Sequence, residues 1–139
     1  MSTEPDHWRC PHCDLGGRVV LENDLCLFLQ WQQPVLVGSG IIVPREHRRT
    51  LFDLSAEEWA ASWSLLRAAR DHLDRLHAAE GYNVGWNVEA VAGQELFHTH
   101  MHVIPRFADE PLAGRGIRYW LKQPGNIRPG RASGGSGEG

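Results

Sequence analysis

Phe97-His98-Thr99-His100-Met101-His102-Val103-Ile104-Pro105-Arg106 is the stretch that decides how this chain folds. Three of the eight histidines in the 139-residue sequence lie here, each one residue from the next. Val103, Ile104 and Phe107 favour an extended backbone, on which side chains alternate between faces. A strand here places His98, His100 and His102 on one face and turns Thr99, Met101 and Val103 toward a core. Pro105 has no N–H and marks the strand's end or an edge position. Packing alone does not select a row of imidazoles, and such a row points to a metal or catalytic site. Two chemistries fit it. Three imidazoles can hold a catalytic zinc with water as fourth ligand. Alternatively, one imidazole is a nucleophile, and its neighbours orient it and stabilise phosphate charge. His7, His72 and His77 stand apart and read as ordinary surface or core histidines.

The length suits one domain with a single core. A hydrophobic fraction of 42% and a charged fraction of 22% are those of a globular protein. The net charge of −3 argues against a general nucleic-acid-binding surface. No apolar run approaches the roughly 18 residues of a membrane span. Residues 1–9 read as a flexible N-terminus without the apolar stretch of a secretory signal. Three cysteines, two of them close together, make no disulfide framework. A cytoplasmic protein with no membrane or specific nucleic-acid partner is expected.

Cys10-Pro11-His12-Cys13 is a C-x-x-C, either half a zinc site or a redox pair. Leu15-Gly16-Gly17 follows it instead of the helix a thioredoxin-like pair requires, so half a zinc site is the better reading. Histidines must complete it, with His12 a local candidate. Arg18 to Glu22 and Leu25 to Trp31 read as strands joined by the turn pair Asn23-Asp24. Cys26 inside the second is a small buried hydrophobe. Gly40 to Pro44 is an apolar third strand. Ser55 and Glu58 form a capping box, which predicts a helix from there to about Glu80, stopped at Gly81. Trp59, Trp63, Leu66, Ala69, Leu73 and Leu76 recur at helical steps and predict its core stripe; Arg67, Asp71 and Arg75 lie opposite. Tyr82 to Glu89 alternates as a fourth strand, and residues 90–95 loop into the histidine strand. Arg115, Arg118, Lys122, Arg128 and Arg131 make the next segment basic. Residues 129–139 are Gly/Ser-rich and read as a disordered tail.

Strands, one long capped helix and a strand carrying H-x-H-x-H resemble the histidine triad superfamily of nucleotide hydrolases and transferases. Ile42-Val43-Pro44-Arg45-Glu46-His47 and Asp53-Leu54 look like its segment before the helix. Asn87 and Gly93-Gln94 stand at its usual distances before the triad. The N-terminal C-x-x-C is similar to that of a bacterial zinc-containing branch, related to dinucleoside polyphosphate hydrolases and nucleoside phosphoramidases. The resemblance covers about Cys10 to Arg106. It implies an α+β fold, an antiparallel sheet of about five strands with one long helix packed on it, within a domain over residues 10–128. It also implies a homodimer. His100 would attack the α-phosphorus to give a nucleotidyl-histidine that water cleaves. His102 would hydrogen-bond the phosphate or leaving oxygen. Asn87, Gly93 and Gln94 would contact the phosphate. Cys10, Cys13, His47 and His98 would hold one structural zinc per chain, and no organic cofactor is implied. With His98 committed to a closed site, the catalytic-zinc reading loses ground, as it does because Thr99 and Met101 stand where an acidic residue would be wanted.

Three positions depart from the family pattern. Trp31 stands where ribose-binding members carry an acid, Gly38-Ser39 replaces a small-residue–histidine pair, and Glu95 replaces a Ser or Thr that contacts phosphate. The expected activity is therefore hydrolysis or nucleotidyl transfer at a nucleotide α-phosphate. The alternatives are a relative repurposed for another phosphoester or a biosynthetic step, and a nucleotide sensor with little turnover.

Overall fold

Cys26, Leu27, Phe28 and Leu29 are consecutive and all buried, because the strand they open has an apolar layer on each of its faces. In the computed structural model, which describes residues 6–130, that strand sits within a six-stranded antiparallel sheet. In chain order the elements are β1 (His7–Arg9), β2 (Gly16–Glu22), β3 (Cys26–Gln30), β4 (Gly40–Pro44), α1 (Ala56–His77), β5 (Gly81–Gly85) and β6 (Met101–Arg106). The sheet order is β1-β2-β3-β4-β6-β5. Cys26, Phe28, Ile42, Met101 and Val103 face α1 and close on Leu65, Ala69 and Leu73. Leu27, Leu29, Ile41 and Val43 face the other way, where Cys10, Leu15 and Trp8 cover them.

That second layer explains the sixth strand. Residues 7–9 are a strand, not part of a flexible lead-in. Trp8 packs on the second core while the backbone pairs with Gly16 to Arg18. The C-x-x-C turn is therefore held between β1 and β2.

The Ser55–Glu58 capping box forms as expected, with Ser55 Oγ accepting from the Glu58 N–H and Glu58 Oε1 from the Ser55 N–H. The helix ends at His77, earlier than expected, because Ala78 turns into the left-handed region at φ 54° and carries the chain toward β5. Its buried face is Glu58, Ser62, Leu65, Ala69 and Leu73. Of the expected stripe, Ala69 and Leu73 are buried and Leu66 is partly so, whereas Trp59, Trp63 and Leu76 are 49%, 59% and 63% exposed. The two tryptophans instead border a shallow cleft of about 280 Å³ with Leu66, Val84 and Trp86 beside the edge strand β5. The fourth strand stops at Gly85, so Asn87 lies in the loop beyond it.

The chain divides after Phe107 into two units. The second holds α2 (Ile117–Leu121), where the Arg115 guanidinium lies 4.3 Å from the Tyr119 ring centroid and Ile117, Trp120 and Leu121 are exposed. The end of the expected tail, residues 131–139, lies outside the described residues. Among the described residues no helix is long and apolar enough to cross a membrane.

Candidate active site and metal centre

The β1–β2 turn brings Cys10 and Cys13 to His47, just past β4, and to His98, ahead of β6. Ligand atoms from all four lie within 4.8 Å of one another. Cys10 Sγ is 3.8 Å from His47 Nδ1, Cys13 Sγ is 3.6 Å from His98 Nδ1, and the two Nδ1 atoms are 3.3 Å apart. Around a tetrahedral zinc, bonds of about 2.3 Å to sulfur and about 2.05 Å to nitrogen separate S from N by about 3.6 Å and N from N by about 3.3 Å. The four residues fit that ion. Burial pushes the Cys13 thiol up, and Cys10 beside it adds to the effect, so a pair of thiolates here needs a cation between them. His98 is fully buried and its Nε2–H donates to the Pro44 carbonyl at 2.9 Å, leaving Nδ1 with its lone pair on the metal side. Burial also holds His98 below the usual imidazole range, keeping it neutral as a ligand must be. His12 is exposed, outside this group, with its ring 6.2 Å from that of His47.

Regular strand begins only at Met101, so His98 and His100 precede it and His102 alone sits in β6. His100 is partly buried, and its Nδ1–H donates to the His98 carbonyl at 2.8 Å. That bond fixes the tautomer, so Nε2 carries the lone pair. The His102 ring lies 5.1 Å away at 75°. Burial, then the nearby His100, holds His102 below the usual imidazole range. Its register opposite Ile41 turns it away from α1. There it borders a cleft of about 260 Å³ with Trp31, Gln32, Gln33, Ser39 and Ile104, and among the described residues no carboxylate lines that cleft. Trp31 lies over Gly17, where a Cβ would come within 2.8 Å of the indole.

The loop from Glu89 to Phe97 leads into the histidines. Gly93, at φ 96°, sits against Asn87, whose Nδ2 would be 3.6 Å from a Cβ there. Gln94 is buried with its amide turned inward: Nε2 donates to the carbonyls of Arg49 and Leu96 at 2.7 and 3.1 Å, and Oε1 accepts from the Glu89 N–H at 2.8 Å. The backbone N–H groups of Gly93 and Gln94 donate to the carbonyls of Ala90 and Glu89. The expected phosphate donors Gly93 and Gln94 thus shape the loop here, while the Asn87 side chain is exposed. Glu95 is exposed as well.

Sequence reasoning missed the residues that brace this loop. Arg48 pairs with the buried Glu58 at 3.0 Å, and its carbonyl accepts from the Thr99 N–H at 2.7 Å, which ties the start of α1 to the triad. Arg49 pairs with Glu89 at 2.6 Å, and Glu89 has φ 73° and ψ 158°. A non-glycine residue in that region costs about 1–3 kcal/mol. Glutamate carries no sequence signal for such a backbone.

Residues 15–109 match the HIT domain family. The chain belongs to that family. An HIT-like protein of Borreliella burgdorferi is 33% identical over 99 residues, 70% of this chain and 71% of that protein. An adenylylsulfatase of Arabidopsis thaliana is 33% identical over 85 residues, covering 61% of this chain but only 43% of the longer plant protein. A zinc-bound histidine triad protein of Mycobacterium smegmatis superposes with a TM-score of 0.60 at 27% identity, covering 70% of this chain and 71% of that one. The α+β architecture of this HIT protein, with its antiparallel sheet and one long helix, matches that of its structural neighbours.

Proposed function

We propose that the protein hydrolyses, or transfers a nucleotidyl group from, a nucleotide-type substrate at its α-phosphate, through a covalent intermediate on His100. The observation that carries this is the Nδ1–H bond of His100 to the His98 carbonyl, which leaves Nε2 as the free nucleophilic nitrogen. Nε2 attacks phosphorus and forms a P–N bond while the bond to the leaving group breaks and the leaving group takes the electron pair. Water then attacks phosphorus, and the P–N electron pair returns to Nε2. His102, neutral near pH 7, donates an N–H to a phosphate or leaving-group oxygen and steadies the charge that develops there. Asn87 is assigned to the phosphate, and Gly93 and Gln94, whose N–H groups donate to Ala90 and Glu89, hold the loop beside it. The cleft beside Trp31 takes the nucleoside. Membership of the HIT family and the adenylylsulfatase relative support a nucleotide substrate. Dinucleoside polyphosphates and nucleoside phosphoramidates head the expected substrates.

Zinc on Cys10, Cys13, His47 and His98 would be structural, since four protein ligands leave no open position for water. It would tie the β1–β2 turn to the sheet, and no step of the reaction passes through it. The exposed cleft of Trp59, Trp63, Leu66 and Trp86 beside the sheet-edge strand β5 supports a homodimer that covers it. The unpaired thiols Cys10, Cys13 and Cys26 suit the reducing cytosol.

A second reading has one specific observation behind it. With no carboxylate among the described residues that line the cleft, a phosphoester lacking a ribose diol is accommodated as well as a ribonucleotide. The test offers dinucleoside polyphosphates, nucleoside phosphoramidates and nucleotide sugars, identifies products, and follows single-turnover labelling of His100. Labelling and an α-phosphate product are expected. Tight binding without labelling would make the protein a sensor, and cleavage of a non-nucleotide phosphoester alone would favour the second reading.

A further inference from the structure

Glu89 adopts φ 73° and ψ 158°, a region that only glycine enters without strain. Something must hold it there. Arg49 touches the loop at both ends and in the middle. Its Nη1 donates to Glu89 Oε2 at 2.6 Å, its guanidinium lies 4.8 Å from the Phe97 ring centroid, and its carbonyl accepts from Gln94 Nε2 at 2.7 Å. Gln94 closes the loop on itself through the Glu89 N–H and carbonyl. Just beyond Phe97, the Thr99 N–H is pinned to the carbonyl of Arg48, the neighbour of Arg49. The strained residue, the loop's centre and its exit toward His100 therefore all bear on one short segment. Arg49 and Glu89 are 53% and 48% exposed, so their ion pair alone is weak. Its value is geometric.

We infer that Arg49 is a positioning residue: it clasps the loop from Glu89 to Phe97 in a conformation the loop's own sequence resists, and so holds the approach to His100. The inference rests on the activity proposed above, but its structural half is tested without it. Arg49→Ala is expected to lower kcat by about 10–100-fold with KM nearly unchanged, the scale of a small misplacement at the reacting group. Adding Glu89→Gly should restore most of that loss, because glycine takes the positive φ freely and needs no clasp. Amide hydrogen exchange over residues 89–97 should rise in Arg49→Ala and fall back in the double variant. Metal content and melting temperature serve as controls and should stay near wild type. Unchanged exchange in Arg49→Ala overturns the clasp whatever the activity. A raised KM with no rescue by Glu89→Gly also overturns it, since Arg49 would then be contacting substrate. A wild-type protein inactive on every nucleotide would sink the proposed reaction and leave the exchange result to decide the clasp.

Discussion

Removing the proposed zinc should strip away much of this protein's thermal margin, and the sequence separations of its candidate ligands give the scale. Cys10 lies 37 residues from His47, and His47 lies 51 residues from His98. Treated as cross-links closing loops of those sizes, the two ties restrict the unfolded chain by about 4 kcal/mol each, or about 8 kcal/mol together. For a domain of about 100 residues each kcal/mol moves the melting temperature by roughly 4–8 °C, so chelation should lower it by about 30 °C or more. The assay is a thermal melt at neutral pH with and without a chelator, alongside metal analysis that should find about one zinc per chain. Cys10→Ser should shift the melt in the same direction, since Cys10 belongs both to the candidate ligand set and to the second core. A shift below about 5 °C, worth roughly 1 kcal/mol, in protein shown to be metal-free would refute the reasoning. Zinc retained after His47→Ala and His98→Ala together would show that the ligand set is wrong.

Three further outcomes are expected. His100→Asn should lower kcat by at least ~10³ without moving the melting temperature, and a variant keeping a tenth of normal activity would remove His100 from its role. Substrates lacking the 2′-hydroxyl should lose no more than about tenfold in kcat/KM on the wild type, since Trp31 offers no acceptor, whereas a site built on the hydroxyls discriminates by roughly 10⁴. Matched ribo- and deoxyribo-substrates on wild type and Trp31→Asp make the comparison. Burial holds His102 below its unfolded value of about 6.5, so the folded state takes up its proton later than the unfolded chain. Stability from this group is full above about pH 6.5 and is lost as pH falls through its folded pKa. Denaturant titrations between pH 5 and 7 should show a shallower fall for His102→Gln than for wild type, because metal loss is common to both; parallel curves would contradict the shift.

Half of the cysteine–histidine cluster was legible as a C-x-x-C, whereas His47 and His98 were linked to it only through the resemblance to a family. The capping box and the apolar β4 were legible from their residues alone. β1 was not, because three residues have no period of their own and Trp8 becomes apolar ballast only when Leu15 and Leu29 lie beneath it. The helix misled differently. Trp59, Trp63 and Leu66 form a stripe as apolar as Leu65, Ala69 and Leu73, one step round the axis, and only the sheet decides which is inside. The loop was least legible. Gln94 reads as a donor to a ligand, yet its amide finds three backbone partners first, and nothing in the letter Glu89 announces a positive φ.

His98 belongs to two circuits at once. Its ring nitrogens are divided between the cysteine–histidine cluster and Pro44, while its carbonyl holds the proton-bearing nitrogen of His100. A zinc ion held by the His98 ring would therefore steady the peptide whose carbonyl orients His100. Losing such an ion would loosen the support of the His100 ring together with the β1–β2 turn.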